Sequence, residues 1–350
     1  MDDTRLLRLK RHHGLITIAA ALEAGFDRRE VARLVASGRW IPLRRGVYVE
    51  KEIWEAADIW STRPRLLSRA ADLRLRGTHV FSHDSAALEH GIALIGSPDH
   101  VHVTRAGITG SRRRDGIAQH GATYDPGETQ TIDGLPVLPL ARTAIDIARE
   151  HGYAAGVVAM DSALRLGASP QQLSALREAM ARWPGITSAQ AAVDDADPGA
   201  ETAGESLARA LVLSLGIGRP RTQFPVRLED GSIAWLDMVV GCHAFEFDGR
   251  VKLMPASAGG VATTSAEQVV WDEKKRERLI RPLGLGISRI IWTDTTTGVD
   301  AARSRLATEY RQTAARLGTR LDSQLEEFAA RMEPQRQRRL RATRRVPPLD

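Results

Sequence analysis

Cysteine is almost missing from this chain, with Cys242 the only one in 350 residues. A single thiol excludes an intrachain disulfide and any Cys-rich zinc motif, and it implies the cytosol as compartment. Long apolar runs are missing too. The first 24 residues have the outline of a secretory leader, with Arg5, Arg8, Lys10 and Arg11 ahead of an apolar stretch, but that stretch is short and closes on Glu23. Nowhere does the chain reach the roughly 20 apolar residues that span a bilayer. What is present is ordinary for a globular protein, 43% hydrophobic and 26% charged, and the length points to two or three domains. The charge is uneven. Residues 1–50 hold 10 Lys/Arg against 6 Asp/Glu and residues 301–350 hold 12 against 6, whereas the 250 between them are mildly acidic. Two basic ends and a pI near 9.9 are the footprint of a phosphate-binding chain.

The N-terminal fifty residues predict a short basic helix over 4–12, a second helix capped by Thr17, and a third over 28–37. Asp27 with Glu30 three residues on has the form of a capping box for the third, and Gly38 closes it. Val31, Leu34 and Val35 share one side of that helix, while Arg29 and Arg33, one turn apart, share another, with Arg28 at its first turn. Arg39 then leads into two short strands whose tip carries Arg44 and Arg45. Three helices and a basic hairpin describe a winged helix-turn-helix, in which the third helix enters the major groove and the hairpin lies on the wing. Arg28, Arg29, Arg33, Arg39, Arg44 and Arg45 are the candidate contacts to double-stranded DNA.

The stretches Leu15-Ile16-Thr17, Ala24-Gly25, Val35 to Trp40 and Arg45 to Val49 resemble the winged-helix start of the AbiEi-type antitoxins of type IV toxin–antitoxin systems. That resemblance implies a domain that represses its own operon and a toxin partner encoded nearby. Ser82 to Ala87, Asp99 to Val103 and Asp133 to Val137 resemble the segment that follows in such proteins. Residues 51–195 are therefore expected to form a helix-rich α/β middle domain, with Arg112 to Arg114 as a basic loop. His83, His90, His100, His102 and His120 fall here. Without thiolates beside them they are expected to cap and pack, His100 and His102 being the pair that would share a strand face.

The most chemically suggestive stretch runs from Trp235 to Lys252. Alternation predicts a hairpin turning at Gly241-Cys242, and if Val240 pairs with His243, Asp237 falls directly opposite Glu246. Opposed side chains have Cβ atoms roughly 4.5–5.5 Å apart, so like charges there destabilise a sheet unless a cation lies between them. A hard ion such as Mg²⁺, commonly held by one or two carboxylates, is the natural candidate, and Asp237 and Glu246 are its expected ligands. The order helix, three strands, helix, strand over 200–298, with Glu205, Asp237, Glu246 and Asp248, resembles the restriction-endonuclease-like PD-(D/E)XK superfamily near its very-short-patch-repair-like branch. This implies an α/β/α domain in which Glu205, Asp237 and Glu246 serve Mg²⁺-dependent phosphodiester hydrolysis. The chain departs from that pattern at one position, since Asp248 stands where the superfamily has its lysine; Lys252, or Lys274 and Lys275 on the following helix, would have to replace it. Residues 299–350 are expected to form a helix and then a tail over 331–345, disordered when free, with seven arginines and one acid. Taken together, the sequence predicts a multidomain α/β, DNA-binding transcriptional regulator of the antitoxin type. A Mg²⁺-dependent DNA endonuclease and a protein-interaction scaffold on an inactive nuclease fold stand as alternatives.

Overall fold

The computed structural model describes residues 5, 9, 11–249 and 283–342, in two compact units, Met1–Glu150 and His151–Asp350. The predicted helix over 4–12 lies largely outside those residues, and Lys252 and the predicted helix carrying Lys274 and Lys275 lie wholly outside them. Among the described residues no helix is long and apolar enough to cross a membrane.

The first unit begins with β1 (Leu15–Thr17), α1 (Ile18–Glu23), α2 (Arg28–Ala36), β2 (Trp40–Arg44) and β3 (Val47–Glu50), the strands forming an antiparallel sheet in the order β1-β3-β2. Period-two alternation gives this small sheet two apolar faces. Ile16, Trp40 and Tyr48 pack with Phe26, Val31, Leu34 and Val35, while Leu15, Val47 and Val49 pack with Ala57, Leu66 and Ala70. Those last three come from α3 (Lys51–Ala56) and its exit and from α4 (Thr62–Asp72). The winged segment is thus bonded by its own core to the chain that follows.

There β4 (Val80–Phe81), α5 (His83–His90), β5 (Val101–Arg105), β6 (Ser111–Arg114), β7 (Ile117–Gly121), β8 (Gln130–Ile132) and β9 (Leu135–Val137) build a six-stranded mixed sheet in the order β6-β7-β5-β4-β9-β8. Phe81, Val101, Val103, Ile117 and Val137 form its core. Arg112 to Arg114, expected as a loop, are an exposed edge strand pairing β7, an edge that charge keeps from pairing further. Helix α6 (Leu140–His151) follows.

In the second unit α7 (Tyr153–Leu166), α8 (Pro170–Ala179) and α9 (Ile186–Asp195) precede α10 (Ala203–Leu213), and α7 packs on both α9 and α10. Asp161 on α7 and Arg209 on α10 make a fully buried bidentate pair at 2.7 and 2.8 Å. Asp161 also accepts the Asp197 N–H at 2.8 Å, while Arg209 donates to the Asp195 carbonyl at 2.5 Å. Breaking such a pair from one side costs about 3–5 kcal/mol, because the other charge stays buried.

Strands β10 (Arg221–Arg227), β11 (Ile233–Val240), β12 (His243–Asp248) and β13 (Gly286–Ile291) form the second unit's sheet in that order, the last pair parallel. Helices follow as α11 (Trp292–Thr295), α12 (Val299–Leu317) and α13 (Ser323–Ala342). One face (Met238, Val240, Phe245, Phe247, Ile290) meets α10 and α12, and the other (Phe224, Val226, Val239, Ala244) meets Leu325 and Ala329 of α13. Both faces are covered by helices, which is why these strands are apolar on both sides.

The arginine-rich tail expected to be disordered is helical as far as Ala342. Composition alone misleads here because the arginines have partners: Arg336 donates to the Thr222 carbonyl at 2.9 Å, Arg339 to Glu201 at 3.0 Å, and Phe328 and Leu340 are buried.

His243 shows what the apolar interior does to a titratable group. Its Nδ1 lies 2.8 Å from Thr313 Oγ1 and its Nε2 2.8 Å from Ser288 Oγ, and burial lowers its pKa to about 4 despite nearby Glu309. Below pH 6.5 the unfolded chain takes up a proton that the folded chain refuses until pH 4, so stability is lost as pH falls through that window. The loss should reach up to about 3 kcal/mol. Denaturant unfolding from pH 7 to pH 4 should give a shallower decline for His243→Gln than for the parent; parallel curves would contradict this assignment.

Candidate functional site

Two arrangements carry chemistry, one in each unit. In the first, Thr17 Oγ1 accepts the Ala20 N–H at 3.1 Å and starts α1. The capping box of α2 is complete: Asp27 Oδ1 accepts from Arg29 and Glu30 N–H at 2.7 and 2.8 Å, and Glu30 returns to the Asp27 N–H at 2.7 Å. Arg5 adds a bond to Glu30 at 2.9 Å and lies 4.5 Å over the Phe26 ring. The Asp27 N–H and that arginine hold the Glu30 carboxyl below its usual range. These contacts fix the axis of α2 while Val31, Leu34 and Val35 hold its inner face.

The outer face is left to arginine. Arg28, Arg29, Arg33 and Arg39 are exposed, as is Arg45 at the tip between β2 and β3. Arg44 behaves differently. Its guanidinium donates to the carbonyls of Asp115 and, at 3.4 Å, Gly116, and burial lowers its pKa, so it fastens the hairpin to the β6–β7 turn. Sequence alone shows two adjacent arginines at a tip and cannot separate the one turned inward.

In the second unit Val240 pairs with His243, Val239 with Ala244 and Met238 with Phe245, and just beyond that ladder Asp237 meets Glu246 and Phe247 through bonds between side chain and backbone. The Asp237 N–H donates to Glu246 Oε1 at 3.4 Å, and the Phe247 N–H donates to Asp237 Oδ2 at 2.9 Å. Both acids are half-buried. Glu205 reaches the same region because Gly204 has no side chain: a Cβ there would stand 2.1 Å from Phe247, so α10 can approach β12 only with glycine at that position. Thr202 caps the helix, and the Glu205 carboxylate accepts from the Glu201 N–H at 2.7 Å and from Thr202 Oγ1 at 3.1 Å. Burial, and then the charge of Asp237, push Glu205 up to about 7 in spite of those donors.

Cations sit at the margin of this cluster. Arg289 of β13 pairs with Glu246 across the parallel register and comes within 3.8 Å of Asp248, and Arg339 of α13 holds Glu201 and lies 5.8 Å over Trp235. Neither was visible beforehand, because parallel pairing and a helix returning from the tail are both non-local. Burial first, and then the charge of Asp237, keep a proton on Glu205 near neutrality, and the oxygen donors of this cluster are of the kind that suit Mg²⁺. Among the described residues Asp237 and Glu246 form no group of three possible metal ligands.

The sign of the Glu205 shift sets a test. Between about pH 4.5 and pH 7 the folded chain holds a proton that the unfolded chain has released, so this residue's contribution to stability falls as pH rises. A divalent ion at Asp237 and Glu246 favours the ionised form, so its stabilising effect should be larger at pH 8 than at pH 6. Asp237→Asn keeps an acceptor for the Phe247 N–H while removing the charge. It should melt no lower than the parent in chelator and lose most of the rise with Mg²⁺. Equal Mg²⁺ responses in the two proteins would show that the pair binds no ion.

Comparison with known proteins bears on the first arrangement. The family model described as "Transcriptional regulator, AbiEi antitoxin" matches residues 5–51. A crystal structure of the RV2827C protein from Mycobacterium tuberculosis is similar at a TM-score of 0.35 and 18% identity, covering 51% of this chain and 71% of that one. No curated protein matches. The chain is a mixed α/β protein of several sheets whose N-terminal helix-turn-helix-like segment is similar to the AbiEi antitoxin regulators.

Proposed function

We propose that this chain is a DNA-binding transcriptional regulator of the antitoxin type, acting in the cytoplasm with a toxin encoded nearby. The observation that carries the proposal is the exposed arginine face of α2 within the matched segment: Arg28, Arg29 and Arg33 on the helix, then Arg39, with Arg45 on the wing. A helix held by a complete capping box presents these side chains at fixed spacing, as recognition in a major groove requires. Arg29 and Arg33, one turn apart, are assigned to base edges or phosphates, and Arg45 to the adjacent backbone. Arg44 is assigned to holding the hairpin.

A second function rests on the acidic site. Asp237 and Glu246 face each other with Glu205 beside them, and Arg289 pairs with Glu246 near the acid that replaces the superfamily's lysine. These groups support a Mg²⁺-dependent DNA endonuclease targeted by the winged helix, in which Mg²⁺ would polarise a phosphodiester and Arg289 would offset developing charge. Metal binding without strand cleavage would instead leave this domain as an inactive scaffold.

The regulator is tested by titrating full-length protein against duplex DNA from upstream of its own gene at several salt concentrations. The double substitution Arg29→Ala with Arg33→Ala should reduce the salt slope by about 1–2, at about 0.9 per phosphate contact, or cost roughly 1–3 kcal/mol for each lost base contact. Unchanged affinity and slope in a folded variant would remove α2 from the DNA interface. Incubating the parent and Asp237→Asn with supercoiled plasmid and Mg²⁺ tests the second function: nicking by the parent alone supports an endonuclease, and its absence from both rejects one.

A further inference from the structure

Three histidines far apart in sequence meet in the interior of the first unit. His83 opens α5, His102 lies in β5 and His120 in β7. The parallel pairing of β5 with β7 sets Thr104 across from His120, which brings His102 to the diagonal position on the same side. All three are buried, at 4%, 3% and 8% exposure. His102 Nδ1 lies 3.0 Å from His120 Nε2, the ring of His83 stacks on that of His120 with centroids 3.8 Å apart, and one ligand nitrogen from each residue lies within 4.8 Å of the others.

The other nitrogen of each ring has an oxygen partner. His83 Nδ1 is 3.0 Å from Ser82 Oγ, His102 Nε2 is 3.5 Å from Asp84 Oδ2, and His120 Nδ1 is 3.3 Å from Ser111 Oγ. Outer oxygens that orient the ring and fix its tautomer are the usual companions of metal-binding histidine. Ser111 is placed for this by the register that sets it directly across from His120. His83 holds φ at +49°, a left-handed backbone that is uncommon for a residue with a side chain.

We infer that His83, His102 and His120 form a binding site for a transition-metal ion that prefers nitrogen ligands, with Zn²⁺ the representative of that class. Two nitrogens about 2.0–2.1 Å from a tetrahedral ion stand about 3.3 Å apart, close to the separation of His102 Nδ1 and His120 Nε2. The stacked ring of His83 rotates to complete the set. Burial, and for His83 the neighbouring His120, His102, Arg149 and Arg142, hold His83 and His120 below the usual imidazole range. Both rings are therefore neutral at physiological pH, the form that ligates. The surrounding charges are paired with opposite ones: Arg142 and Arg149 close on Asp146 at 2.8 and 2.7 Å, and Arg113 on Glu150 at 2.6 Å. An all-nitrogen set does not select Mg²⁺, so this site is chemically separate from the carboxylate pair.

The test uses full-length protein stripped with chelator, then loaded with Zn²⁺ and passed through a desalting column before metal analysis. The parent should retain one ion per chain and melt higher than the stripped protein, and Co²⁺ in its place should give visible d–d absorption. His102→Gln and His120→Gln should each weaken binding more than tenfold, while the exposed-residue control His12→Gln should retain it. Should the histidine variants fail to fold, Ser111→Ala and Asp84→Asn leave the ligands in place and should weaken Zn²⁺ roughly 10- to 100-fold. No retained Zn²⁺ in the parent, or the same retention and melting shift in parent and histidine variants, would overturn the site.

Discussion

Backbone pairing between strands is the constraint on which these sites depend. The antiparallel register of β11 and β12 ends at Met238 with Phe245, and next to it the Asp237 N–H reaches the Glu246 carboxylate at 3.4 Å. The parallel register of β12 with β13 brings Arg289 to Glu246, and that of β5 with β7 brings His102 towards His120. The ladders hold against local electrostatic cost because each is backed by a core. Phe224, Val239 and Ala244 lie behind the acidic hairpin, and Phe81, Val103 and Ile117 lie within the sheet that carries the histidines. Around the acidic hairpin, the Asp161–Arg209 pair fixes α10 against α7, and Gly204 lets α10 approach closely enough for Glu205 to feel the charge of Asp237.

What was legible in the sequence is what local chemistry determines. The Asp27–Glu30 capping box, Thr17 as a cap and the turn at Gly241-Cys242 are short-range signals, and each appears in the structure. From that turn, counting residues gives the pairs from Val240 with His243 to Met238 with Phe245, whereas the bonds that Asp237 makes to Glu246 and Phe247 run between side chain and backbone and do not follow from counting. The histidine trio was not legible, because its members come from a helix start and two strands joined by a register that no local pattern encodes; the nearby spacing of His100 and His102 pointed to a different pair. Arg44 and the tail were misleading for a related reason. Arginine content describes a solvated surface until partners are known, and the carbonyl of Asp115, the carbonyl of Thr222 and the carboxylate of Glu201 supply those partners.

The distribution of charge follows the proposed division of labour. Cations that are structural are bonded inward: Arg44 to a turn, Arg209 to Asp161, Arg336 and Arg339 to the second unit's sheet and helix start. Arg28, Arg29, Arg33, Arg39 and Arg45 are exposed on a small scaffold whose core consists of Ile16, Phe26, Val31 and Trp40. Arg33 in the last turn favours the helix dipole, but Arg28 and Arg29 at the other end of α2 do not. Under the proposed function, duplex DNA is the partner of those charges.

The central claim is that this arginine face distinguishes one DNA sequence from others, as a regulator must. It is tested most directly by the ratio of affinities of the full-length protein for duplex from upstream of its own gene and for scrambled duplex of the same length and composition, at one near-physiological salt concentration. A regulator predicts a ratio on the order of 10³ or more in favour of the upstream sequence. Equal affinities would contradict the account and leave the basic helix as a nonspecific phosphate-binding surface.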